Sequence, residues 1–374
     1  MTAKDTVKYL NKMLGSGTAC FLMDDEDNVQ KVPIMSTGVL AIDDALITGG
    51  LPQGKVCEFY GPEGSGKSTV ALMTVANAQK EGKICAYIDM EQALDPSLAA
   101  SCGVDLKDLI FMQPDSGDTA FNAIDALLNG GYVDLIVLDS VAALCFREEL
   151  EDDKLVGDQA MKVGIIARKM SNALRQMTAK AARTGTTLIF INQLRSNISM
   201  GYGQGPTETT PGGKALKFYA SVRLEIKRGK QIKSKDNVIG HELFVKVVKN
   251  KLAPPFRTAH CSLIYGRGIP EEESLLTIAV ERNVLTRKGA WVYWGEERIS
   301  QGIQAAAERL TKEPDLKERL EQAVRATFGK ASNLFPKPAT ETEDAVDTED
   351  EAPEFLEEEE YSAESEDIET TEEL

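Results

Sequence analysis

"VCEFYGPEGSGKSTVALMTVANAQ", residues 56–79, decides the fold. An apolar run from Val56 to Tyr60 meets Gly61, Pro62, Glu63, Gly64, Ser65 and Gly66, then Lys67, Ser68 and Thr69, and a helical pattern continues through Gln79. Strand, glycine-rich turn and helix in this order make a phosphate loop. Its glycines let backbone N–H groups face phosphate oxygens, Lys67 neutralises the β and γ phosphates, and Ser68 offers a hydroxyl to magnesium. The expected cofactors are therefore ATP and Mg2+, held by Gly61 through Thr69.

Working outward, three further apolar runs end in residues suited to that chemistry. "GYVDLIVLDS" delivers Asp139 after Leu135 to Leu138, where the magnesium shell needs an anion beside Ser68. "ICAYIDMEQALDP" carries Glu91 past the end of Ile84 to Ile88, placed to orient or deprotonate an attacking water, and Asp95, a candidate acceptor for the adenine amino group. "TLIFINQLR" ends in Gln193, whose amide can touch a γ-phosphate and loses that contact once the phosphate leaves. With Leu109 to Met112 these runs alternate with helical patterns such as Phe121 to Leu128 and Val163 to Met177, which implies a mainly parallel sheet covered on both faces. Beyond residue 220 the period changes to two: "SVRLEIK", "ELFVKVVKNK" and "TAHCSLIY" read as antiparallel strands that make the sheet mixed. The fold class is α/β, a P-loop ATPase core.

Gln193 is followed by "LRSNISMGYGQGPTETTPGG", roughly twenty polar and glycine-rich residues, and a loop of that length in a compact domain is functional or disordered. Tied to a γ-phosphate sensor, it reads as a switch whose tip binds something. Arg195, Lys214, Lys217, Arg223, Lys227 and Arg228 lie in or just after it, with Asn197, Thr209 and glycine N–H groups suited to phosphate oxygens. Arg168 and Arg175, seven apart on one helix, extend a basic surface for DNA.

Charge divides the chain. Of its 59 acidic residues, 18 lie from Ala339 onward with no Lys or Arg among them, which leaves 41 acids against 42 bases before that point. A segment so charged and so poor in apolar residues is expected to be disordered. Cys20, Cys57, Cys85, Cys102, Cys145 and Cys261 stand without metal-type spacing, the reading of a reduced, cytoplasmic protein without a zinc module. No apolar run approaches the ~18 residues of a membrane-spanning helix, so no membrane partner is expected.

The blocks "GPEGSGKST", "YIDMEQALDP", "VLDSVAAL", "FINQLR", "GGKALKFYASVRLEIKR" and "VKVVKNKLAPPF", in this order and spacing, resemble the bacterial RecA recombinases from about Ser36 to Lys330. The resemblance implies a RecA-type core at 36–267, an N-terminal helical polymerisation arm at 1–35, a small α+β C-terminal domain at 268–330 and the acidic tail at 331–374. It implies an ATP-dependent recombinase that self-associates into a helical filament on single-stranded DNA, pairs it with double-stranded DNA and exchanges strands in repair. The SOS response, with a LexA-type repressor as partner, comes with it. Glu91 would activate the hydrolytic water; Gln193 would couple γ-phosphate to a DNA-binding loop, Arg195 to Gly212, assisted by a first loop near Glu151 to Gly164. Tyr202, Gly212 and Gly213 join the DNA contacts, Lys249 and Lys251, on one side of their strand, would reach a neighbouring subunit's ATP, and Phe218 would sit in the subunit interface. Val7, Leu10 and Leu14 with the extended "KVPIM" form the docking arm, while Arg282, Arg287, Lys288 and Arg298 would contact duplex.

Departures fit a divergent member, such as a phage-encoded one. Leu98 stands where the family has an aromatic on adenine, both DNA loops are about two residues longer, and the first lacks its usual histidine, His241 and His260 being read as structural. Two other classes share the phosphate loop: a hexameric helicase and a ring-forming regulatory kinase. Electron microscopy with ATP and single-stranded DNA separates filament, ring on DNA and ring indifferent to DNA.

Overall fold

A computed structural model describes residues 2–15, 32–147, 159–197, 207–209, 211–234 and 237–328. In chain order its strands are β1 (Ile34–Met35), β2 (Leu51–Pro52), β3 (Val56–Gly61), β4 (Cys85–Asp89), β5 (Leu109–Met112), β6 (Leu135–Asp139) and β7 (Thr187–Gln193), then β8 (Arg195–Asn197) and β9 (Thr207–Thr209). There follow β10 (Val222–Ser234), β11 (Asn237–Asn250), β12 (Thr258–Ile264) and the short β13 (Thr286–Lys288), β14 (Trp291–Trp294) and β15 (Glu297–Gln301).

Eight of these form one sheet in the order β12-β11-β10-β3-β7-β6-β4-β5. The stretch from β10 through β3 to β5 is parallel, and β10-β11-β12 is antiparallel, the mixed arrangement expected from the change of period. β3, β4 and β6 are buried throughout because helices cover both faces, and continuous apolar runs are what such strands require. One core gathers the helices Leu40–Ala45 and Lys67–Lys80 against Cys57, Phe59, Tyr87 and Ile191; the other gathers Gly117–Gly130 and Gln159–Thr184 against Ile88, Leu138 and Phe190.

The register places the site. β4 and β6 pair Asp89 with Asp139, and β3 and β7 pair Gly61 with Gln193, so the phosphate loop and all three candidate residues leave the sheet at one edge. Ligands of open α/β sheets bind at such carboxyl-terminal edges.

One expectation changes at the N-terminal boundary. The end of "KVPIM" is not free for docking: Ile34 and Met35 pair antiparallel with Leu51–Pro52, and Met35 is wholly buried in the core. The helix Ala3–Leu14 buries no residue completely: Val7 and Leu10 are half-buried and Leu14 is 66% exposed, while Thr2 and Asp5 close its N-terminus as a reciprocal capping box. The C-terminal segment shares its core with the ATPase body, since Leu275, Leu276 and Ile278 pack in the same cluster as Leu40 and Ile42. The acidic tail lies outside the described residues.

Candidate active site and nucleic-acid interface

Gly66 adopts φ +92°, a backbone that a side chain resists, and a Cβ there would come within 2.7 Å of Leu263. The helix Lys67–Lys80 begins immediately after it, so its free N–H groups open onto a cavity of about 380 Å3. Gly64, Gly66, Lys67, Ser68 and Thr69 line one side, and Leu98, His241, Leu263 and Tyr265 the other. Lys67 is 7% exposed and donates to the carbonyls of Gly61 (3.2 Å) and Pro62 (2.7 Å). Burial pulls its ammonium below the ordinary value, with Asp139, Glu91 and Glu63 opposing. A cation held by its own loop carbonyls is well placed to exchange them for phosphate.

The Ser68 hydroxyl donates to Asp139 Oδ2 at 2.6 Å, and the Tyr87 hydroxyl donates to the same oxygen at 2.6 Å. Burial pushes the Asp139 carboxyl up, the donors Ser68 and Tyr87 pull it down, and the charges of Glu91 and Asp89 raise it again. A hydroxyl and a carboxylate in contact are the hard oxygen donors that a magnesium ion bound with phosphates takes. The residues fit the metal.

Glu91 is exposed at the same edge; its Oε1 accepts from Gln193 Nε2 at 3.0 Å and from the Ser140 hydroxyl at 2.5 Å. The predicted base and the predicted sensor thus touch. Asp95 is a cap: it accepts from Ser97 N at 2.8 Å at the start of Pro96–Ser101, and those bonds hold its carboxyl below the usual range. It does not line the cavity, whereas Leu98 of the same helix does.

On the DNA side, β8 and β9 pair antiparallel at the root of the loop, Arg195 opposite Thr209 and Asn197 opposite Thr207. Tyr202 and the rest of the loop tip lie outside the described residues, as does 148–158 of the first loop; Gln159 to Gly164 are helical. Arg168 and Arg175 are exposed on Gln159–Thr184. Gly212 and Gly213 sit in close packing: at φ +85° and +75°, a Cβ on either would meet Val141 or Ala167 at 2.9 Å. Arg223 is withdrawn from the expected basic cluster, because its Nε donates to the buried Glu58 at 2.5 Å and its guanidinium lies 4.4 Å over the Tyr60 ring. Strand parity does not set the two lysines, since the β10–β11 ladder stops at Asn250. Lys249 donates to the carbonyls of Lys217 (2.7 Å) and Phe218 (3.1 Å), and Lys251 is exposed. Phe218, at 71% exposed, is no core aromatic.

Five contributors escaped the sequence reading. Tyr87 precedes Asp89 by two on one strand face, a signal that was available; Ser140 simply follows Asp139. Asn192 ties β7 to the loop, its Nδ2 donating to Glu58 Oε1 and to the Pro211 carbonyl, both at 3.1 Å. Tyr265, just past β12, and His241 of β11 line the cavity from distant sequence, the Tyr265 hydroxyl 3.2 Å from His241 Nδ1.

The RecA N-terminal domain model matches residues 2–270 and the RecA C-terminal domain model matches residues 273–329. This chain belongs to the RecA family. It is 48% identical to Protein RecA of Bifidobacterium breve over 328 residues, covering 87% of this chain and 82% of that one. It is likewise 48% identical to Protein RecA of Frankia alni (87% and 92% covered) and 46% identical to that of Levilactobacillus brevis (86% and 84%). The RadB recombinase crystal structure superposes with a TM-score of 0.46 at 24% identity, over 63% of this chain and 98% of that one. As a RecA-family member the chain is a DNA-dependent ATPase and a recombinase of DNA repair. No helix among the described residues is long and apolar enough to cross a membrane.

Proposed function

We propose that the chain hydrolyses MgATP at this sheet edge and uses the γ-phosphate to set the DNA-binding state of the loop rooted at Arg195 and Thr209. Filament formation on single-stranded DNA and strand exchange with a duplex follow, with repressor cleavage in the SOS response as a further outcome. The observation that carries the reading is the 3.0 Å contact from Gln193 Nε2 to Glu91 Oε1. It joins the water-activating carboxylate to the last residue of β7, and the loop begins two residues later.

Magnesium bound with ATP would draw charge from the β and γ phosphates. Lys67 leaves the Gly61 and Pro62 carbonyls to neutralise the same phosphates, and Ser68 with Asp139 would hold the ion. Glu91 takes the proton of the attacking water, with Ser140 fixing its carboxylate. Gln193 can serve Glu91 or a γ-phosphate, so occupancy of the site changes its partner and the position of the loop's first strand. Asn192 anchors the returning end at Pro211, so one root moves while the other stays.

Gln193→Ala tests this. Nucleotide affinity should be kept, and the rise in single-stranded DNA affinity between ADP and a slowly hydrolysed ATP analogue should vanish. An unchanged affinity ratio would rule out the switch.

A further inference from the structure

Tyr87 is wholly buried and lies in the core between the sheet and the phosphate-loop helix. A phenylalanine would fill that space as well; the hydroxyl is the polar exception, and it donates to Asp139 Oδ2 at 2.6 Å. Ser68 donates to the same oxygen at 2.6 Å, while no hydrogen bond to Oδ1 is present among the described residues. The second torsion of an aspartate is broad and roughly two-fold, so a carboxylate held by one rotatable hydroxyl is poorly oriented. A second donor from a ring locked in the core removes that freedom.

We propose that Tyr87 is a positioning residue of the metal site, fixing the Asp139 carboxylate so that Oδ1 and the Ser68 hydroxyl oxygen face a magnesium–nucleotide complex together. The inference rests on the reading of Ser68 and Asp139 as the ion's holders. A Ser68 hydroxyl whose oxygen meets a cation can still donate its proton to Oδ2, so the two-donor clamp survives binding. Partners one step behind a metal ligand are typically worth about 10–100-fold in metal affinity.

Tyr87→Phe removes one oxygen and leaves the packing. Binding of a fluorescent ATP analogue to the full chain would be followed while free magnesium is varied, and again with chelator and no metal, beside thermal unfolding of the free protein. The magnesium midpoint should rise about tenfold or more, while metal-free nucleotide affinity stays within about twofold. A midpoint within about twofold of wild type overturns the inference, since such a partner is worth at least about tenfold. Equal losses with and without metal also overturn it, because they mark a merely structural role. Wild-type binding without any magnesium dependence would instead overturn the site reading beneath it.

Discussion

Glu91 has no strand to hold it and sits exposed just beyond β4, fixed by Ser140 on one side and Gln193 on the other. Glu91→Gln keeps an oxygen for both donors and loses the ability to take a proton. DNA-stimulated ATP turnover should fall at least about 10²-fold, the usual worth of a general base, with ATP and DNA binding retained. Turnover assays beside nucleotide titrations check this, and survival of turnover within about threefold would remove Glu91 from that role. At this scale the contacts also reassign residues. Asp95 caps a helix through Oδ1, and Arg223 is buried against Glu58 and so is withdrawn from the basic surface.

Among elements, the decisive junction is the end of β7. Asn192 and Gln193 are neighbours in sequence with opposite duties, because alternate residues of a strand point to opposite faces. The returning end of the loop then turns through Gly212 and Gly213 against Val141 and the helix Gln159–Thr184. Gly213→Ala forces a left-handed side chain against Ala167, so the unfolding free energy should fall by about 1–2 kcal/mol. Chemical denaturation checks the loss, and an unchanged stability would mean that the packing there is loose.

Across the whole molecule, Asp43 links the N-terminal end of the core to the last helix. It is wholly buried, accepts from Ser36 Oγ (2.5 Å) and Thr37 N (2.8 Å), and meets Arg325 at 3.3 Å. Burial pushes its carboxyl up to about 6, against the pull of Arg325 and those hydrogen bonds. A folded value above the unfolded one means that folding favours the neutral form. The stability it contributes is full below the unfolded pKa, about 3.9, and is lost as pH rises through 6. Between pH 7 and pH 5 this carboxyl should add roughly 1 kcal/mol, and Arg325→Met should steepen the trend. Unfolding at several pH values decides, and parallel profiles for the two proteins would refute the link. The 18 carboxylates from Ala339 onward act at the same scale. Removal of 339–374 tests whether they compete with DNA phosphates for basic surface: duplex binding should tighten and the magnesium optimum fall at low salt, the effect fading at high salt. Equal duplex affinities at low salt would leave the tail a solubility device.

The sequence by itself determined the sheet, the phosphate loop and the residues at strand ends, because local rules govern them. Buried parallel strands must be apolar runs, a helix entered through glycines must expose its N–H groups, and strand ends in one sheet share an edge. The charge division between body and tail is likewise a matter of counting. Tertiary structure alone decided which side chains were already committed. Nothing local announces that Arg223 finds Glu58 across two strands, that Lys249 caps a short helix, that Gly212 and Gly213 pack against Val141 and Ala167, or that Tyr265 and His241 reach the phosphate-loop cavity. Those outcomes depend on pairing between segments far apart in sequence. In a buried setting a polar group must find a partner from whichever element the fold brings near.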